Sequence, residues 1–103
     1  MSARRIKLEQ LRDLFPEDPE ILYGIAMDSL GDESFQSAII EFQGLLKSHP
    51  QFVPAYLQLG QLLTREMREE EASEIYKQGI AMAVSVGNRS AADEMARFLD
   101  MIS

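Results

Sequence analysis

YLQLGQLLTREMREEEASEIY, residues 56–76, is the stretch that decides the fold. A helix advances about 3.6 residues per turn, so Tyr56, Leu59, Gly60 and Leu63 share one face. After a break at Glu66-Met67-Arg68, Ala72 and Tyr76 begin a second stripe, and the stretch has the spacing of a packed helical hairpin. The spacing recurs upstream. Shifted by 34 residues over itself, the chain puts Leu22 on Tyr56, Ile25 on Leu59, Ala26 on Gly60, Ala38 on Ala72, Phe42 on Tyr76 and Leu45 on Gly79, while Pro16 falls on Pro50.

The reason for such a pattern is geometric. Gly60 and Ala26 keep the first helix of each pair shallow on one side, and Ala72 and Ala38 do the same for the second. Two axes can then approach closely while Tyr76 or Phe42 fills the adjacent gap. Neither pair can bury its stripes alone, so the unit repeats and neighbouring pairs stack. The pattern resembles the tetratricopeptide repeat: a bulky residue, an apolar and a small residue three and four places later, then Ala, an aromatic and an apolar or small residue, with Pro closing a unit of about 34 residues. The resemblance covers residues 19–86 strongly and both ends weakly. It implies an all-α fold, an α-α superhelix of helical hairpins with six helices and a right-handed course.

At 103 residues and 46% hydrophobic content, the chain is the size of one domain with a real core. We read it as a single domain over 1–103, with an N-terminal capping helix at 1–15, repeats at 19–52 and 53–86, and a C-terminal capping helix at 88–103. Cysteine is absent, which removes disulfides, thiol nucleophiles and Cys-based zinc sites. The net charge of −7 argues against affinity for nucleic acid or anionic membrane, since phosphate binding is driven by Lys and Arg. Charge is uneven along the chain. Arg4, Arg5, Lys7 and Arg12 against Glu9 and Asp13 give +2 over residues 1–15, whereas seven acids against Lys47 give −6 over residues 16–50. A solvated surface with a basic end accounts for this, and a docking patch is the sharper alternative. The chain shows no signal-peptide pattern and no apolar run long enough to span a bilayer, so membrane insertion is not expected and a cytoplasmic location is.

In chain order, residues 3–14 place Leu8, Leu11 and Phe15 on one stripe with Ile6 and Leu14 beside it. This segment reads as a repeat's second helix without its first, because Leu8 falls on Phe42 and Leu11 on Leu45. Arg4, however, falls where Ala38 and Ala72 lie, so a ragged beginning is expected. Pro16 and Pro19 end the helix, and Pro19 suits the first turn of the next. Helices follow near 19–30 and 34–47, joined at Gly31-Asp32, where Gly is the residue expected to leave the helix through a left-handed conformation. The second repeat has helices near 54–66 and 69–86. Val84 stands where Pro is due, so its second helix should run about a turn longer, to Gly87-Asn88. Glu69, Glu70 and Glu71 suit the positive end of that helix and do not converge as metal ligands. A last helix near 90–102 carries Ala91, Met95, Phe98, Leu99 and Ile102 on one stripe, with Ser90 as its expected cap.

No enzymatic constellation is visible. His49 is the single histidine and sits in a turn, Asp28 and Asp32 are separated by Gly31, and there is no Gly-rich phosphate loop and no G-x-S-x-G. No catalytic residue, metal or cofactor is expected. By the resemblance, the first helix of each pair lines a concave groove for a peptide or a partner's helix. That places Tyr23, Met27 and Leu30 in the groove from the first repeat and Leu57, Gln61, Thr64 and Arg65 from the second. Relatives that grip chaperone C-terminal carboxylates use Lys, Arg and Asn, whereas the matching places here hold Tyr23, Met27, Leu57 and Gln61, so a carboxylate clamp is not expected. The expected function is a protein-binding scaffold with a partly apolar groove. The alternative is self-association through the groove or an end.

Overall fold

The computed structural model describes residues 2–103. Six helices make up the described chain: α1 (Ala3–Leu14), α2 (Pro19–Gly31), α3 (Phe35–Ser48), α4 (Val53–Arg65), α5 (Glu69–Ser85) and α6 (Arg89–Ile102). Each helix packs against the next along a superhelix, and α6 also reaches back to α4. Among the described residues no helix is long and apolar enough to cross a membrane.

The contact points between helices are the small residues. Ala26, Ala38 and Ala72 have no solvent exposure, and around them lie Phe42, Leu45, Leu59, Leu63 and Tyr76, each at 1% or less. Gly60 lies against the flat of the Tyr76 ring, where an added Cβ would fall 2.6 Å from Cζ and 2.8 Å from Cδ1. At Gly79 it would fall 2.6 Å from Met95 Sδ and 2.6 Å from Tyr56 Cβ, so α4 and α6 both close on α5 at this one residue. Ile39, also buried, belongs to the same core although it lies outside the repeated pattern.

Each repeat leaves its helix in the same way. The Ser34, Arg68 and Asn88 N–H groups donate to the carbonyls of Ser29, Leu63 and Ala83 at 2.9, 2.8 and 2.8 Å. Each such closure needs one left-handed residue. Those residues are Glu33 (φ 59°), Met67 (φ 61°) and Gly87 (φ 79°). The expectation for Gly31 is thus corrected: Gly31 is the last helical residue of α2, and the left-handed place falls two residues later. As expected, α5 outruns α3, by 17 residues to 14, and ends beside Gly87. Its first turn carries Glu69, Glu70 and Glu71, of which Glu71 pairs with Arg68 at 2.7 Å.

The ends depart further from the sequence reading. α1 does not begin raggedly, because the Ser2 side chain accepts the Arg5 N–H at 3.1 Å and caps it. Arg4 avoids the conflict at its repeat position by facing solvent. Ile6, Leu14 and Phe15 stay exposed, and no residue of α1 is fully buried. α6 is capped by Asn88, whose side chain accepts the Ala91 N–H at 3.1 Å, and not by Ser90. At the α2 start Asp18 caps by accepting the Glu20 N–H at 2.9 Å, with Pro19 in the first turn as expected.

The close approach at Gly79 gives a stability prediction. Gly79→Ala overpacks a site that cannot widen, at a cost of about 1–3 kcal/mol that exceeds the roughly 1 kcal/mol gained in helix propensity. Gly44→Ala meets nothing within 4 Å and collects the propensity gain alone. Urea unfolding should show the first variant destabilised and the second stabilised; equal effects would contradict this packing.

Candidate functional site

The first-type helices α2, α4 and α6 supply the face on which a binding site was expected, and the structure divides the expected residues into two groups. Tyr23 sits inside the first repeat, its ring 5.2 Å from Phe52 and 6.0 Å from Phe42. Met27, Leu30 and Leu57 are half-buried and packed on the core. These four belong as much to the packing between helices as to any open surface.

Gln61, Thr64 and Arg65 come together elsewhere, at the α4 end where α6 terminates. They line a cavity of about 290 Å³ whose other walls are Tyr76 of α5 and Phe98, Met101 and Ile102 of α6. Tyr76 forms its floor and stacks on Phe98, with ring centroids 6.1 Å apart and planes 11° from parallel. The Thr64 hydroxyl donates to the Gly60 carbonyl at 2.9 Å, which turns its methyl group outward from that bond. The Arg65 guanidinium stands 4.4 Å over the Phe35 ring, so the rim cation of the second repeat is steadied by the first turn of α3. The result is an apolar hollow with one fixed positive charge at its edge.

The α6 contribution was not part of the expected groove. Phe98 and Ile102 were legible as a stripe, but a stripe assigned to capping; Met101, 78% exposed, lies off it. The signal that would have found them is the register of α6 as a third first-type helix beside α4.

Little in the site can exchange protons near neutrality. Burial pushes the Tyr76 phenol above its ordinary value, and the neighbouring Thr64 side chain opposes this in part. Burial likewise raises Tyr56, whose hydroxyl donates to the Pro50 carbonyl at 2.7 Å. His49, in the turn after α3, stands 4.0 Å from Glu17 and far in sequence from the cavity residues. Among the described residues no three His, Asp or Glu side chains stand close enough to share a metal ion.

No protein-family model and no curated protein sequence matches the chain. Solved structures do. A tetratricopeptide repeat domain protein from Salinibacter ruber, determined in solution, is 30% identical over 85% of this chain and 89% of its own, with a TM-score of 0.81. A crystal structure of a tetratricopeptide repeat domain protein from Salinibacter ruber gives 28% identity over 82% and 94%, with a TM-score of 0.78. A protein from Bordetella parapertussis shares the fold at 22% identity and a TM-score of 0.83, over 99% of this chain and 89% of its own.

The buried phenols make stability fall at alkaline pH. A tyrosine whose folded pKa is raised contributes its full stabilisation below the unfolded value of about 10 and loses it as pH rises through the folded value. The thermal unfolding midpoint should therefore hold from neutral to about pH 10 and then decline, and Tyr76→Phe should make the decline shallower. Identical alkaline slopes for the two chains would contradict burial of the Tyr76 hydroxyl.

Proposed function

The chain belongs to the tetratricopeptide repeat family, and on that premise we propose that it is a non-catalytic interaction module that holds a peptide or helix of a partner protein on its α4–α6 face. The observation that carries this reading is the apolar hollow of about 290 Å³ between Gln61, Thr64 and Arg65 on one helix and Phe98, Met101 and Ile102 on another. That volume suits one large aliphatic or aromatic side chain, with methionine on the wall to adapt to its shape. Arg65 at the rim supplies a polar contact beside the anchor, the arrangement by which helical grooves combine affinity with orientation. Tyr23, Met27, Leu30 and Leu57 continue the same side of the superhelix and extend the track along which the remaining partner residues run. The lining lacks the cluster of Lys and Arg that a terminal carboxylate requires, so the partner is gripped by an internal apolar residue.

Affinity capture from the native cell extract tests this with Met101→Glu, a change at an exposed residue that leaves the core intact. A partner bound by the unaltered chain should be lost by about tenfold or more in the Met101→Glu chain and weakened by Arg65→Ala. Undiminished capture by a Met101→Glu chain with an unchanged circular dichroism spectrum would refute the assignment.

A further inference from the structure

α1 is held to the rest of the chain by one side chain more than by packing. Arg5 donates from Nη1 to the Ile25 carbonyl at 2.9 Å and to Ser29 Oγ at 3.0 Å, and from Nη2 to Glu41 Oε2 at 3.0 Å. Asp28 Oδ2 lies 3.6 Å from Nη1, and Glu9 on α1 itself accepts from Nε at 3.3 Å. A single guanidinium thus joins α1 to both α2 and α3. Beside it Leu8 reaches the bare backbone of Gly24, where Leu8 Cδ2 comes within 3.2 Å of the place a Cβ would take. The receiving surface consists of a carbonyl, a hydroxyl and two carboxylates, a set of acceptors suited to the fork of an arginine. In the 34-residue register Arg5 falls on Ile39. α1 therefore occupies a second-helix seat on α2, with an arginine where α3 carries a buried isoleucine.

Two further features bear on how permanent this seating is. No residue of α1 is fully buried, and only Phe15 to Asp18 connects it to α2. The largest exposed apolar groups of this end, Leu14 and Phe15, stand at that connection, 71% and 55% exposed. The charges of α1 and its seat are complementary, +2 on residues 1–15 against −6 on residues 16–50, so the seat attracts an α1 from either copy.

We infer that the seat on α2 and α3 exchanges its occupant between copies of the chain, α1 of one entering the seat of the other to form a reciprocal two-fold dimer. Every contact of Arg5 and Leu8 is then remade between chains at no loss, as exchange of an identical element requires. The two connections run side by side at the dimer axis, where Leu14 and Phe15 of both copies find the apolar cover that each lacks alone. Because the chain's own α1 competes at an effective concentration of the order of 1 mM, the dimer forms at high protein concentration. This seat is separate from the α4–α6 hollow, and its occupancy does not depend on what that hollow binds.

The absence of cysteine makes the test direct. An equimolar mixture of a Leu8→Cys chain and a Gly24→Cys chain is oxidised at about 1 mM and resolved by denaturing electrophoresis. Exchange brings the two positions together across copies. Disulfide-linked heterodimer should exceed that of a mixture with Val84→Cys in place of Leu8→Cys by about tenfold, and adding Arg5→Gln to the Leu8→Cys chain should remove most of the excess. Heterodimer no greater than with Val84→Cys overturns the inference. So does a wild-type chain that sediments only as monomer at about 1 mM, a measurement free of any effect of the substitutions on folding.

Discussion

The distance between α4, α5 and α6 is set by two missing side chains. At Gly60 the face of α4 has nothing between its backbone and the Tyr76 ring, and at Gly79 α5 has nothing between its backbone and both Tyr56 and Met95. Interiors pack at nearly crystalline density, so a large ring on one helix needs a matching absence on its neighbour. The first pair keeps this device at one of the two places, where Ala26 stands in place of Gly60, and gives it up at the other, where Leu45 fills the position of Gly79. The Tyr76 ring, thus seated, becomes the floor of the hollow between α4 and α6. Core packing and candidate site share one residue, and the shape of the site follows from the spacing of the helices beneath it.

Because the two glycines fall in the second pair, the closest packing lies in the C-terminal half. α5 meets α4 and α6 across Gly79, and α6 is drawn in far enough to touch α4. The N-terminal half relies on other means. Tyr23 packs at a tilt against Phe42 and Phe52, and α1 is fixed by the Arg5 hydrogen bonds in place of a buried stripe. Hydrophobic burial is not screened by salt, whereas a guanidinium shared among carboxylates is weakened by it. The two ends of this small superhelix therefore answer to different physical conditions.

What the sequence disclosed, and what it withheld, follows from the range of the forces concerned. Ala26, Ala38, Gly60, Ala72 and Tyr76 were legible because helical periodicity and the 34-residue shift act on every turn and repeat themselves. Glu33 and Met67 were not legible as left-handed residues. Their backbone is imposed by the closure from Ser34 to Ser29 and from Arg68 to Leu63, and local preference pointed to Gly31. Arg5 was hidden for another reason: its partner Glu41 lies 36 residues away, and no periodic pattern marks a charge for burial. Of the expected groove, Gln61, Thr64 and Arg65 do meet at one hollow, while its other wall comes from a helix whose stripe is displaced from the repeat register. Phe98, Met101 and Ile102 could be placed there only once α6 was seen to lie against α4.

The helix spacing depends on the contact between Gly60 and Tyr76, and a double-mutant cycle between these positions measures it without reference to any partner. Gly60→Ala, Tyr76→Leu and the double variant are to be compared with the unaltered chain by urea unfolding at equilibrium. If the ring lies on the bare backbone, Gly60→Ala is destabilising beside Tyr76 and much less so beside leucine, with a coupling of about 1–3 kcal/mol. Additivity to within about 0.5 kcal/mol would mean that the two residues do not share the space assigned to them, and the packing described here would be wrong.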